Sequence, residues 1–519
     1  MTATEAIERF FGRWMQLHPV EASFHGMHEH DARLPDGSLS AVREEGEALA
    51  SLESDLAGAQ DGLETEIARY YAGLARFQIE ELRLWARMVE APDLVGTAIY
   101  LLFVRDFAPL EERLEAIASR LEAVPAYLAA SRERLTEPVE LWNRLALDTA
   151  EALPPLYGTV VEAAPDGSLR RRLETAAAAA TEATRQLVRW ISGEVLSRSG
   201  QDWALGEAGF ERMLALRRLP DPPDAIRELG RSYLAEFKEE RAALVAQHWP
   251  GRSVKEVDAL VRSQHAPSFE AALDDYRRVI GESREFVRDR RLATLPEGEE
   301  LRVEPTPSFL RPVIPFAAYE PPAYFDARQL GIYLVTAQER GLGEHSRASI
   351  LNTSVHEGYP GHHLQFSCAN RNPSLARLLA GDFAVELVEG WAHYSEQLMY
   401  EQGFSPGPEV RFVQLNDLLW RACRIVIDVE LSSGRMRFGE AVAMLTTEAA
   451  MDPAAAEAEV RRYTYTPGYQ LSYLYGKHLL LQLREQRRRR EGAAFDLRAF
   501  HDRLLYAGGV PAAFWEALF

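Results

Sequence analysis

The chain has 519 residues, with 78 acidic against 58 basic side chains, a net charge of −20 and a pI near 5.2. Such a polyanion argues against nucleic acid or an anionic membrane surface as partner. Hydrophobic residues at 47% suffice for a large core, and two cysteines, Cys368 and Cys423, cannot form a disulfide framework, so a reducing, cytoplasmic location is expected.

Residues 1–290 read as helix after helix. Ile7, Phe10, Phe11, Trp14 and Leu17 recur at helical spacing, and Pro19 ends that element. No basic start or apolar run opens the chain, so no secretory signal is expected, and no stretch of 18 apolar residues spans a membrane. The segment His25-Gly26-Met27-His28-Glu29-His30-Asp31 lacks helical or paired ligand spacing, so a capped loop with exposed histidines is expected. Helical patterns follow near 40–57, 62–90, 109–120, 123–134 and 168–198, the last carrying the alanine run 176–180. Pro220, Pro222 and Pro223 precede a helix near 224–247, and two more are expected within 253–290. Between 295 and 340 prolines break the pattern, and Leu301–Val303 and Gly331–Thr336 read as strands. The expected class is mainly α: one helical domain over 1–519, with lobes 1–290 and 291–519.

A helix near 346–358 then delivers Val355-His356-Glu357-Gly358-Tyr359-Pro360-Gly361-His362-His363-Leu364-Gln365, three histidines beside a carboxylate. Imidazole and carboxylate are the usual ligands of a catalytic zinc ion. In the motif H-E-x-x-H two histidines share one helix face and the glutamate is the general base. Here Pro360 occupies the position of the second histidine. On an unbroken helix His363 would return to the face of His356 only about 10 Å further along the axis, too far for one ion. Pro360-Gly361 can shorten that path. The reading is a zinc helix with a two-residue bulge that puts His362 in the second ligand position, with His363 as the other candidate.

The next segment supplies a third donor. Between 384 and 396, Glu386, Glu389, His393 and Glu396 fall within about 80° on a helix. Glu389 is the expected third ligand, and His393 holds that carboxylate or a histidine ligand from behind or is itself an alternative ligand; a solvated acidic face is the other reading, chiefly for Glu396. Further on, Asp417, Arg421, Arg424 and Asp428 share about 60° of an otherwise apolar helix. A salt-bridge ladder is expected there, since unpaired buried charge is costly. The alternative is that Arg424 or Arg421 binds a substrate carboxylate, as in a carboxypeptidase. Asp452-Pro453 opens a helix, and after Pro467-Gly468 the residues Tyr469, Tyr473 and Lys477 line one face.

HEGYPGHHLQ, EGWAHYSEQ and PGYQLSY resemble the bacterial domain-of-unknown-function family DUF885, over most of the chain from Pro19 onward. These motifs are in turn similar to those of helical, gluzincin-like zinc peptidases of the thimet-oligopeptidase, angiotensin-converting-enzyme and thermostable-carboxypeptidase type. The resemblance implies one Zn2+ on His356, His362 and Glu389, with Glu357 activating water. It implies a two-lobed zincin-like body with a deep cleft and a small antiparallel sheet beside the metal. By the same resemblance residues 331–336, with Tyr333, form a sheet edge that pairs with substrate backbone, and Tyr473, then Tyr469, donates to the oxyanion. The expected function is zinc-dependent hydrolysis of short unfolded peptides by an oligopeptidase or carboxypeptidase. A zinc hydrolase of a non-peptide amide or ester, and a non-catalytic metal-binding protein, are the alternatives. The sequence sets no oligomeric state.

Overall fold

The computed structural model describes residues 2–519 apart from 61, 308–310, 312, 313, 315, 316 and 338–340. Apolar spacing becomes helix along most of this length. The first helix, Ala3–Leu17, opens on Thr2, whose hydroxyl accepts from the Glu5 N–H, and buries Ile7, Phe10, Phe11 and Trp14. Among the described residues no helix is long and apolar enough to cross a membrane.

The chain divides into two compact units. One is Met1–Trp203 with Ala323–Arg328; the other is Ala204–Pro322 with Gln329–Phe519. The helices between 204 and 290 therefore belong with the histidine-rich segment, in place of a division at 290. The reason is packing: the helix Pro223–His248 lies against Pro408–Ser432 so closely that a Cβ on Gly230 would stand 2.8 Å from Ile425 Cγ2.

In the first unit two expectations change. The patterns at 109–120 and 123–134 form one helix, Leu110–Ser131, with Pro125 inside it. The buried face of Ile117, Leu121, Val124 and Leu128 outweighs the roughly 3 kcal/mol that an interior proline costs. The expected helix over 62–90 instead stops at Phe77. A π turn spans Gln78–Leu82, Arg83 adopts φ 51°, and a short helix follows at Leu84–Arg87. Trp85 fixes this detour by donating from Nε1 to the Ile79 carbonyl at 2.8 Å.

The histidines at 25–30 are not an exposed set. His25 and His30 are buried. His28 stacks on Phe107 with ring centres 3.8 Å apart and reaches Asp31 and Asp326 at 2.8 Å each. Against the pull of burial, these two carboxylates raise its pKa to about 9. His28 thereby ties the segment Ala323–Arg328 to its own unit.

In the second unit β1 (Glu299–Pro305), β2 (Ala317–Glu320) and β3 (Gln329–Val335) form one sheet in the order β1-β3-β2. β1 runs parallel to β3 and β2 antiparallel to it, so the sheet is mixed and not wholly antiparallel. β3 pairs on both sides and is the middle strand, which corrects the expectation that 331–336 is an edge. Tyr333 is fully buried with its ring edge-on to Tyr276, so it offers nothing to a substrate.

The helices Val385–Glu401 and Ser472–Glu491 cross at two glycines. A Cβ on Gly390 would stand 2.5 Å from the Gly476 carbonyl carbon, and one on Gly476 would strike the Glu386 carbonyl. This contact brings the tyrosine-bearing turn up to Glu389. Gly390→Ala is expected to cost about 1–3 kcal/mol through overpacking, read as a lower urea midpoint. An unchanged midpoint would count against so tight a crossing.

Candidate metal centre

The helix that carries His356 starts at Ser346, whose hydroxyl accepts the Ser349 N–H, and stops at Glu357. The chain then bends through Gly358–Gly361, with the Tyr359–Pro360 peptide cis, and a new helix runs His362–Ala369. The break is thus two helices and a turn, more than a bulge. Gly361 lies against the end of the first helix, where a Cβ would collide with the His356 and Val355 carbonyls. Trp391 Nε1 donates to the Pro360 carbonyl at 2.7 Å and fastens the turn to the Glu389 helix. The outcome is that the rings of His356 and His362 meet, with centres 4.8 Å apart.

Glu389 faces both rings. Its Oε2 lies 3.9 Å from His356 Nε2 and 3.7 Å from His362 Nε2. These separations are too long for hydrogen bonds, but donors with bonds near 2.1 Å around one ion lie up to about 4 Å apart. Two buried imidazoles and a buried carboxylate that do not satisfy one another are the donor set of a divalent cation such as zinc. Glu389 Oε1 accepts from Tyr469 at 2.8 Å, and the Tyr473 ring stands edge-on to that of Tyr469. Burial pushes its pKa up, but the two histidines and the two phenols hold it below the usual carboxylate range.

A second buried group, His356, His393 and Glu396, shares a member with the first. Its members gather on Glu396, which hydrogen-bonds His356, while His393 Nδ1 stands in ion-pair range without a hydrogen bond. Glu396 Oε1 sits 2.7 Å from His356 Nδ1 and 3.3 Å from His393 Nδ1. Arg421 donates from Nε to His393 Nε2 at 2.9 Å, which leaves the His393 proton on Nδ1, toward Glu396. Glu396 likewise holds the Nδ1 proton of His356, so that the nitrogen a metal would take is Nε2, on the Glu389 side. Asn352 Nδ2 donates to Glu396 Oε2 at 3.1 Å. Burial opposes charge on His356, but Glu396 with Glu357 and Glu389 raises its pKa to about 9; burial, with His356, lowers His362 to about 4. Glu396→Gln is expected to weaken metal binding about 10–100-fold, measured by competition with a chromophoric chelator; unchanged affinity would remove Glu396 from this role.

His363 lies elsewhere. Its Nε2 meets Glu299 Oε2 at 2.8 Å and its Nδ1 meets the Tyr319 hydroxyl at 3.0 Å, both from the sheet. With both nitrogens engaged and the ring fully buried, His363 is no ligand in this arrangement. Glu299 also accepts from the Tyr359 hydroxyl and from Arg284 Nε. His393 lies behind His356, ring centres 5.0 Å apart, with Glu396 beside both.

Glu357, beside His356, keeps its carboxylate free of hydrogen-bond and ion-pair partners among the described residues. Burial raises its pKa to about 7, with Glu389 and Glu396 adding to the rise against His356. The expected ladder on the Asp417 helix is only partly formed. Arg421 pairs with Asp417 at 3.2 Å, but Arg424 reaches across to Tyr463 at 2.8 Å and Glu459 at 2.9 Å. Arg424 is also stacked between Trp420 and Tyr473. Asp428 accepts the backbone N–H groups of Gly468 and Leu471 at 2.8 and 2.9 Å. It shapes the tyrosine turn together with Arg217, which reaches the Gly468 carbonyl, Glu386 and Ser472. Both guanidiniums proposed for a substrate carboxylate therefore already have protein partners.

The fold and this cluster define a class: a mainly helical protein with a buried two-histidine, one-carboxylate site able to take a divalent ion. The chain belongs to the bacterial protein family of unknown function DUF885, whose model matches residues 19–518. Two solved bacterial structures share its fold, and their names provisionally class them as lipoproteins. One, of unknown function, is from Shewanella oneidensis, with 22% identity, TM-score 0.79, and coverage of 100% of this chain and 99% of its own. The other is from Colwellia psychrerythraea, with 19% identity, TM-score 0.85, and coverage of 99% and 97%. No curated protein matches.

Proposed function

We propose that the chain is a zinc-dependent peptide hydrolase acting on short unfolded peptides. The observation that carries the reading is the approach of His356 Nε2 and His362 Nε2 to one oxygen of Glu389, with the unpaired Glu357 next in sequence. Zinc, when bound, supplies a Lewis acid and lowers the pKa of water toward about 7. The protein groups do the rest. Glu357 takes the proton from the attacking water and returns it to the leaving amine. Tyr473 hydrogen-bonds the oxygen on which negative charge develops. Tyr469, held on Glu389 Oε1, keeps that carboxylate aimed at the two histidines. Tyr473→Phe is expected to lower kcat about 10²–10³-fold with little change in KM; an equal loss in Tyr469→Phe alone would reassign the donor.

Three donors with an acid neighbour favour catalysis over a structural ion, which closes its site with four protein ligands. The engagement of Arg421 and Arg424 by protein partners favours an oligopeptidase over a carboxypeptidase. The test is digestion of a mixed peptide library by zinc-loaded protein, read by mass spectrometry. Cleavage of short peptides that a chelator stops and zinc restores is the expected result. Cleavage of small amides or esters alone would favour the non-peptide hydrolase. An ion bound without any hydrolysis would leave a metal-binding protein. For location, the two unpaired cysteines, both buried, support the cytoplasm, whereas the lipoprotein names of the two neighbours support the envelope; cell fractionation separates these.

A further inference from the structure

A cavity of about 560 Å³ lies wholly within the first unit, far in sequence from the metal cluster and independent of the function proposed above. Its volume is in the range of small-molecule sites, and its lining has their mixed character. The wall is apolar and aromatic, with Val20, Phe24, Leu82, Trp85, Leu101 and Tyr127. Part of that wall is the π turn and the short helix after it, where the chain leaves regular geometry to place Leu82 and Trp85.

Four carboxylates, Glu21, Glu45, Glu90 and Asp93, interrupt the apolar wall. Two basic groups stand against them. Arg134 is spent on the Ser38 and Asp36 carbonyls, at 3.0 and 2.6 Å. His18 sits 3.4 Å from Glu45 and is held by the Trp14 carbonyl. That leaves negative charge over. Neither Glu90 nor Asp93 has a hydrogen-bond or ion-pair partner among the described residues, and Glu21 Oε1 is shielded from solvent without a partner. Burial raises the pKa of Glu21, whereas Glu90 and Asp93 are solvent-exposed members of the lining. The four acids do not converge as metal ligands do, for among the described residues the only such groups are those at His356. A compact divalent ion is therefore a poor occupant. A cationic head on an apolar body matches both the charge and the walls; the Tyr127 ring can attract an ammonium group, while Arg83 and Arg105 already lie over the rings of Trp85 and Phe24.

We propose that this cavity binds an organic primary ammonium compound with an aromatic or aliphatic tail, its head among Glu21, Glu90 and Asp93 and its tail against Phe24, Trp85 and Tyr127. The test titrates 2-phenylethylamine into the full-length protein by calorimetry, beside the neutral 2-phenylethanol. One site per chain is expected, at least tenfold tighter for the amine, and at least tenfold weaker in Glu90→Gln/Asp93→Asn with its circular dichroism unchanged. Amine adventitiously bound at His356 and Glu389 would be untouched by that double variant, which locates the site. Equal binding of alcohol and amine, undiminished binding by the double variant, no amine binding, or binding of calcium with no amine signal would each overturn the proposal.

Discussion

Glu357→Gln is expected to keep the bound metal and to lose about 10²–10⁴-fold in hydrolysis, the usual share of a general acid–base group. The substitution is nearly isosteric, and Glu357 has no hydrogen-bond or ion-pair partner among the described residues to lose, so the fold and the three donors stay in place. Its carboxylate is held near neutrality by burial, with Glu389 and Glu396 also raising its pKa; an amide can accept no proton there. Full metal occupancy with hydrolysis lost is the expected pair of results. Unchanged hydrolysis would remove Glu357 as the base, and loss of the metal would make it a ligand.

The second large effect separates two adjacent histidines. His362→Asn is expected to weaken zinc binding more than about 100-fold, because loss of a supporting partner alone already costs up to about that much. His363→Asn is expected to leave zinc affinity within about tenfold and to cost about 1–3 kcal/mol of stability, since it removes a buried hydrogen bond from Glu299 and one from Tyr319. Equilibrium dialysis against zinc and urea unfolding read the two effects separately. If His363→Asn abolished zinc binding and His362→Asn did not, the assignment would reverse.

These neighbours show how far the sequence reaches. Spacing alone leaves His362 and His363 open, because the Pro-Gly break destroys the helical period that would choose between them. What separates them is Glu299, on a strand more than sixty residues upstream, and no local pattern pairs it with His363. Glu396 was visible on the correct helix face, but a carboxylate at helical spacing looks the same whether it meets water or a histidine. Helix positions followed the apolar period well, and Asp452 caps its helix as its sequence position suggests, by accepting from the Ala454 and Ala455 N–H groups. The period failed where tertiary contacts outvote it: the π turn fixed by Trp85, the proline carried inside Leu110–Ser131, and the order of the strands. Nothing in Gly331–Thr336 distinguishes an edge strand from a central one; the partner strands β1 and β2 decide that.

The most direct test of the central claim is anomalous diffraction at the zinc edge from crystals of zinc-loaded protein. One peak per chain is predicted, within bonding distance of His356 Nε2, His362 Nε2 and a Glu389 oxygen. A peak between His393 and Glu396, one at His363, or none at all would contradict it.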